Sequence, residues 1–448
     1  STNTVEALIP LVVENGIELS GLIWQNTTLY PDKYYIVTTN IGVCEGVTLT
    51  LMPGTKLHFR PGTGISVELG EPEGEEFYDS LNSYYYRNHP NAGKVIAKGT
   101  PDKRILFTTF GSIDQTAQSD VQFNFGPNSE LEYVEFDNFS CSFSYPGTGC
   151  KYPSFRKTLF NYLGISDWYP KRIYINESAI YNCTRGLVAA KTDATSIVRN
   201  YTNPVFHSTH INLLPGVDKI RNCNTFGNIY EDYSERNYIS ISEYSEKAIY
   251  KTTDEPNYYG SANRDILRNW IWDIRNPKNT GWTWSPRSFA ELDLSNMLTR
   301  PNPAAPGVVW KVEIDGINAC DDFDILPDLG VGRHKVEVFF SKRMNRDKTP
   351  MVAMGVRPPY TQIPISEDAS WRTEVIDGDE LDVYTAYLTI RGRDTYDGLN
   401  RIYVGDAEDE EFFPIPIEDF RFHANVQSAG SMSAGFMAEA GVGRVKLT

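Results

Sequence analysis

The chain has 448 residues, of which 40% are hydrophobic and 22% charged, and its formal net charge is −16. This length suggests two or three domains, and the hydrophobic content suffices for packed cores, which argues against a largely disordered chain. The acidic balance argues against binding to nucleic acid or anionic membranes, because both need clustered Lys and Arg. The sequence contains no run of 18 apolar residues, so no membrane span is predicted.

The first fifteen residues carry more apolar surface than a free tail tolerates, with Ala7, Leu8, Ile9, Leu11, Val12 and Val13. We predict that residues 1–15 form a strand that either caps its own domain or lies against a neighbouring subunit through main-chain hydrogen bonds. The chain starts with Ser and has no basic-then-apolar leader, which is typical of a processed chain.

Short strands with one buried face follow. In residues 42–59, Val47, Leu49 and Leu51 alternate with polar residues, and after the Pro53-Gly54 turn the alternation resumes. Residues 93–110 repeat this design. A period of two with turn residues between the runs predicts β-strands.

Residues 71–92, between these strands, are predicted to project as a loop. The loop contains Tyr84, Tyr85 and Tyr86, preceded by several glutamates. Aromatic faces stack on sugar rings, and tyrosine is also favoured at protein contacts. Both a glycan contact and a protein interface remain open for these tyrosines.

Five asparagines recur at intervals of 23, 21, 18 and 22 residues, each two positions after an apolar residue: Asn138, Asn161, Asn182, Asn200 and Asn222. A period near 20 with short β-like runs is typical of a parallel β-helix. Asparagine tolerates left-handed backbone angles, and its amide can bond the next asparagine about 4.8 Å away. We therefore predict an asparagine ladder at these positions.

A second projecting loop is predicted at residues 141–172. Cys141 and Cys150 bracket a turn-rich stretch and are a candidate disulfide, which would place the chain outside the cytoplasm. Five sequons are candidate glycosylation sites, at about the number expected by chance: Asn26, Asn138, Asn176, Asn182 and Asn200.

Three segments resemble secreted right-handed parallel β-helix proteins of the pectate-lyase-like superfamily: "GVTLTLMPGTKLHF", "GKVIAKGTPDKRILFTT" and "NYYGSANRDILRNWIWDIRNPKNTGWTWSP". In that family the first opens the helix, and a stretch like the last, usually with Trp where Tyr259 stands, closes it with a short helix. The residues themselves also predict a helix over residues 263–274, because Ile266, Trp270 and Ile274 would lie on one helical face. The resemblance implies a β-helix domain, which we place at residues 16–295, and is much less informative about activity.

The sequence changes after a Pro-rich segment, residues 296–307, which is predicted to be a linker. Seven short alternating runs then predict a β-sandwich over residues 308–428. This region resembles Ig-like modules that follow β-helices in large prokaryotic surface proteins. Residues 429–448 are predicted to form a strand-like tail.

No catalytic grouping typical of β-helix lyases or hydrolases is recognisable, and no catalytic residue is predicted. Asp321, Asp322 and Asp324 are weak calcium candidates, and no other cofactor is indicated. A solvated acidic loop is the alternative interpretation.

The favoured hypothesis is a non-catalytic extracellular or cell-surface structural protein, all-β, that assembles with copies of itself into a fibre, tube, sheath or layer. The alternatives are a polysaccharide lyase or glycoside hydrolase on a β-helix, and a glycan-binding adhesin. Surface glycans are possible partners under the last two hypotheses; no nucleic-acid partner and no membrane span are expected.

Overall fold

The computed structural model describes residues 16–79, 84–109, 121–143, 154–165, 174–181, 191–198, 211–213, 220–226, 239–241, 249–251, 256–265, 267, 271–272, 291–319, 328–355, 360–390, 398–416, 422–426, 436–440 and 443–447. Nearly all regular structure in these residues is β-strand. None of their helices is long and apolar enough to cross a membrane.

The first part of the chain forms mainly parallel sheets. Its strands are β1 (Ile17–Ile23), β2 (Thr27–Leu29), β3 (Tyr34–Val43), β4 (Thr48–Leu51), β5 (Lys56–Phe59), β6 (Gly64–Val67), β7 (Glu73–Asp79), β8 (Tyr84–Asn88), β9 (Lys94–Lys98), β10 (Ile105–Thr109), β11 (Val121–Asn124), β12 (Glu130–Glu132), β13 (Val134–Phe143), β14 (Ser154–Arg156), β15 (Leu159–Ile165), β16 (Tyr174–Asn176), β17 (Ala179–Tyr181), β18 (Lys191–Asp193), β19 (Ser196–Val198), β20 (Ile211–Leu213), β21 (Ile220–Arg221), β22 (Asn224–Phe226), β23 (Ile239–Ile241), β24 (Ile249–Lys251), β25 (Ile271–Trp272) and β26 (Glu291–Asp293).

The chain passes back and forth between two large sheets and adds strands to each in turn. One has eight strands in the order β2-β4-β9-β12-β14-β16-β18-β21, and the other has eleven, from β1 to β22. Each strand of the eight-stranded sheet is followed by one or two strands of the eleven-stranded sheet, and we call such a set a rung. The rungs pair in parallel, for example β12 with β14 and β13 with β15.

The eleven-stranded sheet consists of two rows of paired strands, and its long strands run from one row into the other. Residues 34–37 of β3 pair with β5, whereas residues 41–43 pair with β6. In β13, residues 134–136 pair with β10 and residues 141–143 pair with β11. A rung therefore passes through three strand positions.

A left-handed residue marks the corner between the two large sheets in five rungs, with φ between 43° and 54°: Tyr133, Lys157, Glu177, Ala194 and Asn222. The backbone N–H of each of the first four donates to a carbonyl one rung further on, at 3.0–3.2 Å. Main-chain hydrogen bonds thus hold this corner, and its side chains are varied.

The predicted asparagine ladder is wrong in its register. Asn222 does occupy the left-handed corner, but Asn161 lies within β15, opposite Asp137 and not Asn138. Its Nδ2 donates to Asp137 Oδ1 at 3.0 Å. Because main-chain bonds already satisfy the corner, it does not require an asparagine amide. Asn182 and Asn200 lie outside the described residues.

Inward side chains stack in columns from rung to rung. In one column, Phe107, Phe136 and Phe160 are in register and fully buried. The rings of Phe107 and Phe136 lie 4.9 Å apart at 11°, and those of Phe136 and Phe160 lie 5.4 Å apart at 5°. Parallel pairing repeats the same inward position in each rung, which produces this stack.

The segment predicted as a second loop, residues 141–172, is not a single insertion. Cys141 is fully buried at the end of β13, and β14 and β15 belong to the two large sheets. Its Pro- and Gly-rich start suggested a loop throughout, although strands resume at Ser154. The helix predicted over residues 263–274 is also too long: Arg264, Asp265 and Leu267 are helical, but residues 271–272 form β25.

The second part of the chain is mainly antiparallel. Its strands are β27 (Val309–Ile314), β28 (Ile317–Asn318), β29 (Asp328–Leu329), β30 (Gly332–Phe340), β31 (Met351–Gly355), β32 (Ile363–Pro364), β33 (Glu367–Ile376), β34 (Asp379–Ile390), β35 (Gly398–Gly405), β36 (Phe422–Val426), β37 (Phe436–Ala440) and β38 (Gly443–Leu447).

Ten of these strands form two five-stranded sheets, ordered β28-β27-β30-β34-β33 and β29-β36-β35-β31-β32. The sheets share a buried core to which Val338 and Phe340 contribute from one sheet and Val352, Ile402 and Val404 from the other. The C-terminal β37 and β38 pair as an antiparallel hairpin within the segment predicted to be strand-like.

Candidate functional site

The segment predicted to be a linker is packed tightly between the parallel sheets and the antiparallel sheets. Pro301 and residues 305–309 are buried. We call this contact region the junction; it comprises residues 298–310, the loop of residues 406–415, and the rung residues they touch.

Asn224 makes the central polar contact of the junction. Its fully buried side chain lies at the start of β22. Asn224 Oδ1 accepts the Asn302 N–H at 2.6 Å, and its Nδ2 donates to the Asn302 carbonyl at 3.0 Å. The amide therefore pairs with the backbone of residue 302 as a neighbouring strand would. In addition, Asn302 Nδ2 donates to the Asn222 carbonyl at 3.1 Å.

An apolar cluster lies beside these hydrogen bonds. The buried side chains of Leu159, Ala179 and Tyr181, from β15 and β17, pack with those of Val308 and Phe413. Ser196, in β19, donates its Oγ to the Pro306 carbonyl at 2.5 Å. This cluster contains side chains from both parts of the chain. Separating the two parts would expose these apolar side chains to water, which costs free energy.

The loop of residues 406–415 is organised by one buried carboxylate, Asp409, which is 0% exposed. It accepts the backbone N–H groups of Gly307, Glu411 and Phe413 at 2.8–3.0 Å. Burial raises the pKa of Asp409, although the charge of Lys342 and these N–H groups act in the opposite direction. Asp409 thus joins this loop to the 305–309 segment.

Two basic residues bind the loop to the rungs. The Arg104 guanidinium lies 4.0 Å from the Phe413 ring centroid, and its Nη1 donates to the Lys157 carbonyl at 2.7 Å. Lys157, a left-handed corner residue, contacts Glu411 Oε1 through its Nζ at 2.8 Å. These contacts extend the junction from β10 to β22, across six rungs.

The Lys157–Glu411 pair changes the pKa of both groups. Burial alone would raise the pKa of Glu411, but the hydrogen bond from Lys157 and the charges of Lys342, Lys157 and Arg104 outweigh burial and lower it. For Lys157, burial opposes the charged form, yet the hydrogen bonds to Glu411 and Tyr133 raise its pKa. Both shifts favour the ionised pair.

A carboxylate pair not predicted from the sequence lies near the junction. Glu135 and Asp137 are two residues apart in β13, so they share one face of the strand. Burial is the main cause that raises the pKa of each, and the charge of Asp137 adds to the shift of Glu135. The i, i+2 spacing of the two carboxylates in "VEFDNF" could have indicated this pair. The same spacing is common on exposed strand faces, so it does not identify a buried pair.

The tyrosines singled out in the sequence lie on a separate antiparallel hairpin, β7–β8, between the second and third rungs. Its register pairs Tyr84 with Asp79, Tyr85 with Tyr78 and Tyr86 with Phe77. Near the hairpin base, Arg87 contacts Glu76 at 3.2 Å. The role of the hairpin as a glycan contact or an interface stays a prediction.

The remaining predicted site residues are scattered. Asn26 is exposed, with its Oδ1 accepting the Thr48 N–H at 2.8 Å. In the Asn176 sequon, Ser178 is buried and donates its Oγ to the Asn176 carbonyl at 2.6 Å. Asn138 lies in β13.

Four more predicted site residues lie outside the described residues: Cys150, Asp321, Asp322 and Asp324. The Cys141–Cys150 disulfide and the calcium site therefore stay predictions. Within the described residues, no group of three or more His, Cys, Asp or Glu side chains could hold a metal ion.

Comparisons with known proteins give no relative. No protein-family model, no curated protein and no solved structure matches the chain.

We expect Asn224→Ala to lower the free energy of unfolding by about 1–3 kcal/mol, because it removes both hydrogen bonds to Asn302 and leaves partly buried backbone groups of Asn302 unpaired. Urea-induced unfolding followed by circular dichroism measures this change. Asn88→Ala, at an exposed site in β8, is the control and should leave stability unchanged. Equal stability of the two variants would contradict the role assigned to Asn224.

The second expectation concerns pH. Because the pKa of folded Glu411 is lowered, its contribution is present above the unfolded pKa of about 4.3 and is lost as pH falls through the folded pKa. Glu411→Gln should therefore be less stable than the unmodified chain at neutral pH, by less than about 1 kcal/mol because the pair is partly exposed. The difference should shrink below about pH 4. Measuring the free energy of unfolding of both proteins at several pH values tests this expectation, and a difference that does not change with pH would disprove it. The titration of Asp409 contributes equally to both proteins and does not affect the difference.

Proposed function

We propose that the chain is a non-catalytic structural protein of the cell exterior that associates with copies of itself. In this proposal, residues 16–295 form a right-handed parallel β-helix and residues 308–428 an Ig-like sandwich. The successive parallel rungs support the β-helix, since crossovers between parallel strands are almost always right-handed. The two packed antiparallel sheets support the sandwich.

The observation that carries the structural role is the junction. Its apolar cluster, the Asn224–Asn302 pairing and the Lys157–Glu411 ion pair join the two parts over several rungs. Domains that move around a substrate are usually linked by small, polar contacts, whereas a large buried contact favours one stiff body. A stiff two-domain body suits a building block of a fibre, sheath or layer.

The extracellular location rests on the resemblance of the two regions to secreted β-helix proteins and to modules of prokaryotic surface proteins. The cysteine pair and sequons accord with this location but do not carry it. Self-association rests on the repeated parallel strands, because a stack of strands presents unpaired backbone groups at its ends.

A carbohydrate-active enzyme is the second candidate, favoured by Glu135 and Asp137. A pair of carboxyl groups with altered pKa values can serve as general acid and base in glycoside cleavage. Both are largely buried, and Asp137 already accepts the amide of Asn161, which accords better with a structural pair.

We expect the purified protein to show no turnover of pectin, alginate or other acidic polysaccharides, because its sequence has no recognisable catalytic grouping of the kind that β-helix lyases and hydrolases use. The assays are ultraviolet absorbance of unsaturated products and release of reducing ends. Activity that disappears in Glu135→Gln or Asp137→Asn would establish the enzymatic alternative. Activity unaffected by both changes would indicate a different site or a contaminant.

Self-association is tested by deleting residues 1–13. We expect the full chain to form oligomers and the shortened chain to remain a folded, β-rich monomer, because the apolar segment would no longer supply backbone partners to a neighbour. Light scattering measures assembly and circular dichroism measures folding. Polymerisation of the shortened chain, or a full chain that stays monomeric at high concentration, would contradict this expectation.

A further inference from the structure

Exposed apolar side chains concentrate at the start of the parallel stack. Ten large hydrophobic residues in the described part of the chain are exposed, and five of them lie between residues 17 and 52: Ile17, Leu22, Trp24, Tyr30 and Met52. We call these five residues the end patch. Trp24 is 72% exposed, the highest value of the ten. Half of the exposed large hydrophobic residues thus fall in the strands at one end of the stack, which favours an interaction surface there over scattered exposed residues that need no explanation.

Four residues of the end patch lie in or directly after β1 and β2, the strands that begin the two large sheets, and Met52 directly follows β4, the partner of β2. Among the described residues, β1 pairs with β3 alone and β2 pairs with β4 alone. One edge of each strand is therefore without a described partner. Leu22 and Trp24 lie at the end of β1, and Tyr30 directly follows β2. Apolar side chains thus adjoin strand edges that can receive another chain by main-chain hydrogen bonds.

Charge is sparse in the same region. Residues 19–55 contain three charged side chains, Asp32, Lys33 and Glu45, although 22% of the whole chain is charged. Asp32 and Lys33 also form an ion pair with each other, at 3.3 Å. Two copies with a net charge of −16 repel each other over most of their surface, and a charge-poor end is where this repulsion is weakest.

We propose that the end patch is a contact surface for a second copy of this chain. The inference rests on the proposed self-association and specifies where it occurs. A second copy fits better than a basic protein, because the patch offers no acidic cluster to attract one. It also fits better than a polar glycan, because the patch combines aliphatic and aromatic residues. Burial of Trp24 and Leu22 supplies affinity, while the adjacent strand edges set the orientation.

The test compares association of the full chain with that of two single variants. Trp24→Glu places a charge in the end patch at an exposed position. Val375→Glu is the matched control, because Val375 is 67% exposed and lies in β33 of the antiparallel part. Both variants add the same charge and remove an exposed apolar side chain. Circular dichroism and the urea midpoint verify that each variant folds.

Sedimentation velocity over a wide concentration range measures the oligomeric state. We expect the full chain to associate, Val375→Glu to associate equally, and Trp24→Glu to need at least about tenfold more protein for half-association. Dimers and longer oligomers both support the proposal when Trp24→Glu weakens them. If all three proteins associate alike, the end patch is not the contact, although the proposed function stands. If the full chain remains monomeric, both are overturned.

Discussion

The parallel register between rungs is the constraint on which the rest of the structure depends. Parallel neighbours lie about 4.8 Å apart, so each inward side chain rests on its equivalent in the next rung. Phe107, Phe136 and Phe160 satisfy this geometry with nearly parallel rings. A shift of one residue in any strand would turn its core residues outward and break every column it joins. The corners must therefore return the chain to the same register, whatever the length of the intervening loops.

The junction uses two products of this regularity. The left-handed corner positions Lys157 beside Glu411, and β22 positions Asn224 beside Asn302. Since parallel strands recur at fixed spacing, contacts made by different rungs form an ordered row, against which a short segment can pack. The buried Asp409 completes the arrangement because its three N–H donors come from both the short segment and the facing loop.

The sequence predicts the strands better than it predicts their contacts. Alternation around Leu49 and Leu57 identifies strands with one inward face, and both residues are fully buried. The asparagine pattern failed at Asn138 because Tyr133 occupies the left-handed corner of that rung and Asn138 lies further along, within β13. A tolerance for left-handed angles does not determine which residue reaches the corner. The junction was missed because Asn224 and Asn302 are 78 residues apart and residues 301–307 have the Pro, Ala and Gly content of a linker. The same small residues permit close packing, so composition alone could not separate these alternatives.

The position of the junction beside the stack has a mechanical consequence. Hydrogen bonds between rungs point along the stacking direction, so tension applied along the stack loads successive rungs in series. The contacts from Arg104 to Asn224 join several rungs to the antiparallel part of the chain, so a force on that part is divided among these rungs. A pull between the antiparallel part and the first strands is then borne in series by β1 to β9, while the rungs beyond Arg104 are bypassed. Under tension, we therefore expect the first three rungs to separate before the rungs that the junction holds together.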